Sequence, residues 1–152
     1  MNRVIMIKYG ELTTKKGNRK FFINTLYSNI KNKLKGLNVH IHKDISRMYI
    51  EFSDSELDEV LSRINNIFGI HEYLVAYKVN TDIDTIKDSV LNIVSKENFD
   101  TFKVETKRAD KNFEIKSMDF NNVIGSLVLK NIDVKVDVHN PEILLNVEIR
   151  EY

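Results

Sequence analysis

The spacing of hydrophobic residues changes along this chain in a definite succession, and that succession leaves few folds open. Residues 4–7 form a continuous apolar run, as in a strand covered on both faces. Over residues 18–35, Phe22, Leu26, Ile30 and Leu34 recur every fourth position while Lys31, Lys33 and Lys35 stay outside, which predicts an amphipathic helix capped by Asn18. Val39 and Ile41, then Met48, Ile50 and Phe52, alternate on either side of Asp44, Ile45 and Ser46, the pattern of a hairpin. Ser53 and Glu56 have the spacing of a capping box ahead of a helical stripe of Leu57, Val60, Leu61, Ile64 and Phe68, with Gly69 as its stop. Tyr73, Val75, Tyr77 and Val79 then alternate as a strand.

The first half therefore reads β-α-β-β-α-β, the ferredoxin-like arrangement. In the second half, Thr81 and Asp82 open a helix with Ile83, Ile86, Val90, Leu91 and Val94 inward. Phe102, Val104 and Thr106 alternate with Lys103, Glu105 and Lys107, a strand with one charged face. Ser117 is placed to cap a helix that buries Val123, Ile124, Leu127 and Val128. Val134, Val136 and Val138 alternate, Asn140 and Pro141 turn the chain, and Ile143, Leu145, Val147 and Ile149 alternate again. These last two strands are expected to pair, with Val134, Val136, Leu145 and Val147 in the core. The order is α-β-α-β-β. The fold class is α+β, an α/β sandwich, with domains expected over residues 1–77 and 78–152.

Composition narrows the function. With no cysteine among 152 residues there is no disulfide, thiolate or zinc-finger chemistry. No run approaches the roughly 18 apolar residues of a membrane span, and the apolar start is too short for a signal peptide. A cytoplasmic location is expected. The net charge of +1 conceals an asymmetry: residues 1–43 hold ten Lys or Arg and one acid, residues 44–102 five and twelve, residues 103–152 eight and nine. Such a distribution suits a polyanion-facing surface, or else a solvated charged face with no ligand. No GxSxG, HExxH or GxGxxG occurs, and Lys16 is followed by Gly17 and Asn18 where a P-loop needs Ser or Thr. His40 and His42 lack a third metal ligand nearby. Asp82 with Asp84, and Asp58 with Glu59, sit where helix capping and solvation account for them. No catalytic residue, metal site or cofactor is therefore expected in this chain.

Two basic segments remain. In KYGELTTKKGNRKFF, residues 8–22, Lys15, Lys16, Arg19 and Lys20 surround the start of a helix, opposed only by Glu11. A helix end with clustered cations is a seat for anionic groups such as phosphates; the rival reading is a solubilising loop. In FKVETKRADKNFEIKS, residues 102–117, Lys107, Arg108, Lys111 and Lys116 cluster between a strand end and the next helix. Phe113 lies among them, placed either to stack on a base or to bury itself as a loop anchor.

The stretch TKRADKNFEIKSMDFNNVIG, followed by VDVHNPEILLNVEIRE, resembles the THUMP domain of the tRNA 4-thiouridine synthetases. In that family a strand with T-K-R-A-D-K leads to a helix with S-x-x-x-N-x-x-x-G, here Ser117, Asn121 and Gly125. The opening resembles the same proteins' N-terminal ferredoxin-like domain, whose signature G-E-x-x-x-K-x-x-x-R-x-x-F is met by Gly10, Glu11, Lys15, Arg19 and Phe22. The resemblance covers the whole chain and has one departure. Such enzymes continue into an ATP-pyrophosphatase domain with an S-G-G-x-D-S loop, and no such loop is present here. It implies a tRNA-binding part, with a THUMP domain cut short at its C-terminal end, that holds the acceptor stem and 3′ CCA end. A uridine is thereby presented to an absent catalytic domain that uses ATP and a sulfur donor, in a parent enzyme compatible with a homodimer. Both basic segments then become RNA contacts. Family members also deliver sulfur for thiamine thiazole synthesis, a role that needs the missing domains. The alternatives are the THUMP-bearing module of another RNA-modifying enzyme, such as a methyltransferase or pseudouridine synthase, and a ferredoxin-like protein-interaction or metabolite-sensing domain.

Overall fold

A computed structural model describes residues 2–10 and 18–152. The chain divides into two compact units, Met1–Lys78 and Val79–Tyr152.

In the first unit, β1 (Asn2–Tyr9), α1 (Arg19–Lys33), β2 (Val39–Lys43), β3 (Arg47–Phe52), α2 (Leu57–Ile64) and β4 (Ile70–Lys78) follow in order, with one 3-10 turn, Asp54–Glu56, before α2. The sheet runs β2-β3-β1-β4 with every neighbouring pair antiparallel. Each helix thus links two parallel strands that have another strand between them, which is the ferredoxin-like arrangement. Ile5, Ile7, Met48 and Ile50 pack against Ile23, Leu26, Ile30 and Leu34 of the first helix segment and Val60 and Ile64 of the second. All four residues 4–7 are buried, as a continuous apolar run predicts.

Several local expectations are corrected here. The buried stripe of α1 is Ile23, Leu26 and Ile30; Phe22 is half-buried. A spacing of strictly four drifts by about 40° per step on a 3.6-residue helix, so the core-facing line must take a step of three. Asn18 is the N-cap residue, but its side chain makes no capping bond. Ser53 and Glu56 form no capping box: Ser53 Oγ accepts from Asn38 Nδ2 at 3.2 Å, and Glu56 Oε1 accepts from Asn38 N at 3.1 Å. Helix α2 ends at Ile64 rather than at Gly69, because Asn65 is extended and Asn66 takes φ 72°. Phe68 consequently lies outside the helix and is exposed. Val75 and Tyr77 are also largely exposed, and Val79 falls beyond β4.

The β2–β3 turn is closed by its own Asp44, whose Oδ1 accepts from Ser46 N at 2.8 Å and Arg47 N at 2.7 Å. From below, the Tyr9 hydroxyl donates toward the Asp44 and Arg47 carbonyl oxygens, each 2.7 Å away. Burial, and then the nearby Asp44 carboxylate, push the Tyr9 phenol well above its ordinary range, so it stays a donor. Tyr9→Phe is expected to destabilise the chain by about 1 kcal/mol, since it takes the phenol from the Asp44 carbonyl without removing apolar bulk, while the Arg47 carbonyl keeps the Asp44 N–H at 2.9 Å. Urea denaturation checks this, and unchanged stability would show that water replaces the phenol.

The second unit runs α3 (Ile83–Val94), β5 (Thr101–Arg108), α4 (Ser117–Asn131), β6 (Lys135–Val136) and β7 (Ile143–Ile149), the expected α-β-α-β-β order. Asp82 caps α3, accepting from Thr85 N at 3.0 Å and Thr85 Oγ1 at 2.7 Å, and these two bonds lower its carboxyl pKa. The core joins Ile86, Val90 and Val94 of α3 to Phe120, Ile124 and Val128 of α4 over Phe102 and Val104 of β5. The pairing of the last two strands differs from expectation. The sheet order is β6-β5-β7, so β6 and β7 flank β5, both parallel to it, and do not touch. So short a link is feasible because β6 pairs only with the first two residues of β5. The chain then rounds the amino end of β5, where Glu142 N donates to Thr101 Oγ1 at 3.0 Å. Val134, Leu145 and Val147 are all partly buried against the core, but Val136 is 49% exposed.

Candidate nucleic-acid interface

Each unit presents its own basic group. In the first, Lys15 and Lys16 lie outside the described residues. Arg19 and Lys20 occupy the first two positions of α1, whose first turn contains no acid. The positive end of that helix dipole is therefore reinforced, not offset. Sequence reasoning missed Lys43. It is in register with Met48, and Met48 with Ile7, so it emerges on the helix-facing side of the sheet at its edge. There its ammonium lies 2.6 Å from Asn24 Oδ1 and 4.3 Å from the Tyr27 ring centre, on the outer face of α1. The signal was available: Lys43 shares the period-two phase of Val39 and Ile41.

In the second unit the cations gather at the carboxyl ends of parallel strands, where ligands of α/β sheets commonly sit. The β5–α4 connection is held from within. Ala109 N and Asp110 N both donate to the Ile149 carbonyl at 2.9 Å, and Asn112 N donates to Asp110 Oδ1 at 3.0 Å. Phe113 is 7% exposed and meets Phe120 edge-on at 5.2 Å, which decides for the loop anchor over base stacking. Arg108 shares a strand face with Phe102 and Val104, is half-buried, and donates from Nη1 to the Phe113 carbonyl at 2.9 Å. Its guanidinium shapes the loop as much as it faces solvent.

Lys107, Lys111 and Lys116 are exposed, and among the described residues no carboxylate pairs with them. Lys107 stands in register with Glu148, but that carboxylate is engaged by Arg150 Nε at 2.9 Å. Lys116 is the extended N-cap residue of α4, and Ser117 is its first helical residue, with no side-chain cap formed. Lys107, Lys111 and Lys116 thus flank one hydrogen-bonded loop in sequence, while Arg108 is bonded to that loop from the core-facing side of β5, the opposite face from Lys107. His42 packs against Tyr49, and among the described residues no three metal-binding side chains gather. Among them too, no helix is long and apolar enough to cross a membrane.

Residues 4–73 match the ThiI ferredoxin-like domain and residues 80–152 match the THUMP domain. A probable tRNA sulfurtransferase of Thermoanaerobacter pseudethanolicus is 44% identical over 99% of this chain, and one of Clostridium acetobutylicum is 42% identical over 99%. The chain belongs to the tRNA sulfurtransferase family. It spans about 40% of the length of those relatives. A crystal structure of a 4-thiouridine synthetase–RNA complex with bound ATP superposes with a TM-score of 0.78 at 31% identity, covering 99% of this chain and 39% of that one. The crystal structure of PH1313 from Pyrococcus horikoshii gives a TM-score of 0.84 at 25% identity, covering 99% and 52%. This sulfurtransferase-family chain therefore carries the ferredoxin-like and THUMP domains that its motifs implied.

Proposed function

We propose that this chain is the tRNA-recognition part of a 4-thiouridine synthetase. Its THUMP unit takes the acceptor stem and 3′ CCA end, and a catalytic domain of the parent protein modifies the uridine so presented. The observation that carries this is the β5–α4 loop: three exposed lysines that no carboxylate pairs with among the described residues, on a backbone held by Phe113, Asp110 and the Ile149 carbonyl. Preorganised cations suit phosphates and 2′-hydroxyls of folded RNA, with a few base contacts at a single-stranded end. The match to a synthetase solved with RNA supports the same partner. ATP use, sulfur transfer, any link to thiamine and any homodimer belong in this reading to the parent enzyme in the cytoplasm, not to these residues. The chain should shift a tRNA transcript in a gel, bind a transcript lacking CCA more weakly, and form no 4-thiouridine when given ATP and a sulfur donor. Absence of binding defeats the reading, and thiolation by the isolated chain defeats the division of labour.

A further inference from the structure

The start of α1 and the β2–β3 turn enclose an open groove of about 500 Å³. Arg19, Lys20 and Asn24 line one side, and Lys43, Asp44 and Ile45 the other. Its charge is lopsided in a particular way. Among the described lining residues the one carboxylate, Asp44, is turned into its own hairpin by the Ser46 and Arg47 N–H groups. The ammonium of Lys43 is held by neutral partners, Asn24 and the Tyr27 ring, and among the described residues no carboxylate lies within ion-pair distance of it. Lys20 has no carboxylate within ion-pair distance among the described residues. Ile45, at the tip, is 66% exposed and gives the groove an apolar lip.

We propose that this groove holds the sugar–phosphate backbone of one RNA strand, with phosphates between Lys20 and Lys43 and a ribose against Ile45. The Tyr9 bonds to the Asp44 and Arg47 carbonyls make the turn a rigid wall, so the cation spacing is set before binding. The inference rests on the tRNA-binding reading and adds the β2–β3 hairpin to the contact surface. An open groove with cations on both walls fits a polymer of phosphates better than a single small anion. Its apolar lip has a use against sugars and none against a free phosphate.

The test is binding of a tRNA transcript to the full chain at several salt concentrations, with Lys43→Glu and Lys43→Arg. Lys43→Glu is expected to weaken binding about tenfold near 0.1 M salt and to flatten the salt dependence by roughly one unit or more. Lys43→Arg should stay within about twofold, since it keeps the charge. In parallel, acetylation of the wild-type chain reads the groove without any substitution. Bound tRNA should protect Lys43 and Lys20 but not Lys33, about 20 Å away at the other end of α1. Lys43→Glu binding like the wild type, or Lys43 acetylated equally with and without tRNA, overturns the proposal while the tRNA-binding reading stands. Failure of the wild type to bind tRNA removes that reading itself. Equal capture by phosphatidylserine vesicles would point to a lipid surface and also overturns it.

Discussion

Phe120→Ala is expected to cost the second unit about 3–5 kcal/mol, the range for truncating a fully buried aromatic. Phe120 has no exposed surface and meets the edge of Phe113, which in turn seals the β5–α4 loop. Its loss removes the contacts of a whole ring and leaves a cavity between α4 and β5 that rigid neighbours cannot close. The loss to Phe113 follows directly, so the loop should loosen along with the core. For a unit of this size the melting temperature should fall by well over 10 °C. Phe120→Leu, which keeps most of the volume, should cost only about 1–1.5 kcal/mol. Denaturation monitored by circular dichroism, with hydrogen exchange over residues 109–116, separates the two effects. A loss below about 1 kcal/mol for the alanine variant would mean that Phe120 is not a keystone of this core.

The order of elements was readable from the residues because hydrophobic period distinguishes helix from strand directly. What was misread depended on neighbours. Alternation at residues 134–138 and 143–149 reports which side chains point inward, but it does not say which strand lies alongside, and Asn140 with Pro141 turns the chain in a parallel link as well as in a hairpin. Only the tertiary structure shows β5 between them. The early end of α2 was readable in principle, since the Asn65–Asn66 pair tolerates the left-handed backbone that Asn66 adopts; the glycine three residues later drew the boundary instead. Capping failed at Ser53, Ser117 and Asn18 for a related reason. Spacing identifies a residue that can cap, whereas in the fold Asn38 claims the Ser53 oxygen, Ser117 is already the first helical residue, and Asn18 takes the N-cap place without a side-chain bond. At the candidate interface the cations were visible as a cluster, but their division of labour was not. That Arg108 turns inward follows from strand phase, which puts it with Phe102 and Val104. That it is bonded to the Phe113 carbonyl requires the folded loop.

That division of labour yields the largest expected effect on binding. Replacing Lys107, Lys111 and Lys116 together by Gln should weaken tRNA binding by about 100-fold near 0.1 M salt and flatten the salt dependence by roughly two to three units, one per lost phosphate contact. Stability should barely change, because all three side chains are exposed and no carboxylate pairs with them among the described residues. Arg108→Ala should behave differently. It removes the Nη1 donor to the Phe113 carbonyl, so it should cost about 1 kcal/mol of stability and let the loop move. Its binding loss, about 1–3 kcal/mol, should fall harder on tRNA with an intact CCA tail than on tRNA without it, because a displaced loop forfeits the positioned contacts while the lysine charges remain. Isotherms for the two RNAs across salt, set beside urea denaturation of each variant, give the comparison. If the triple lysine variant binds like the wild type, the phosphates lie elsewhere. If Arg108→Ala keeps its full preference for the CCA-bearing RNA, the β5–α4 loop positions the stem and does not read the tail.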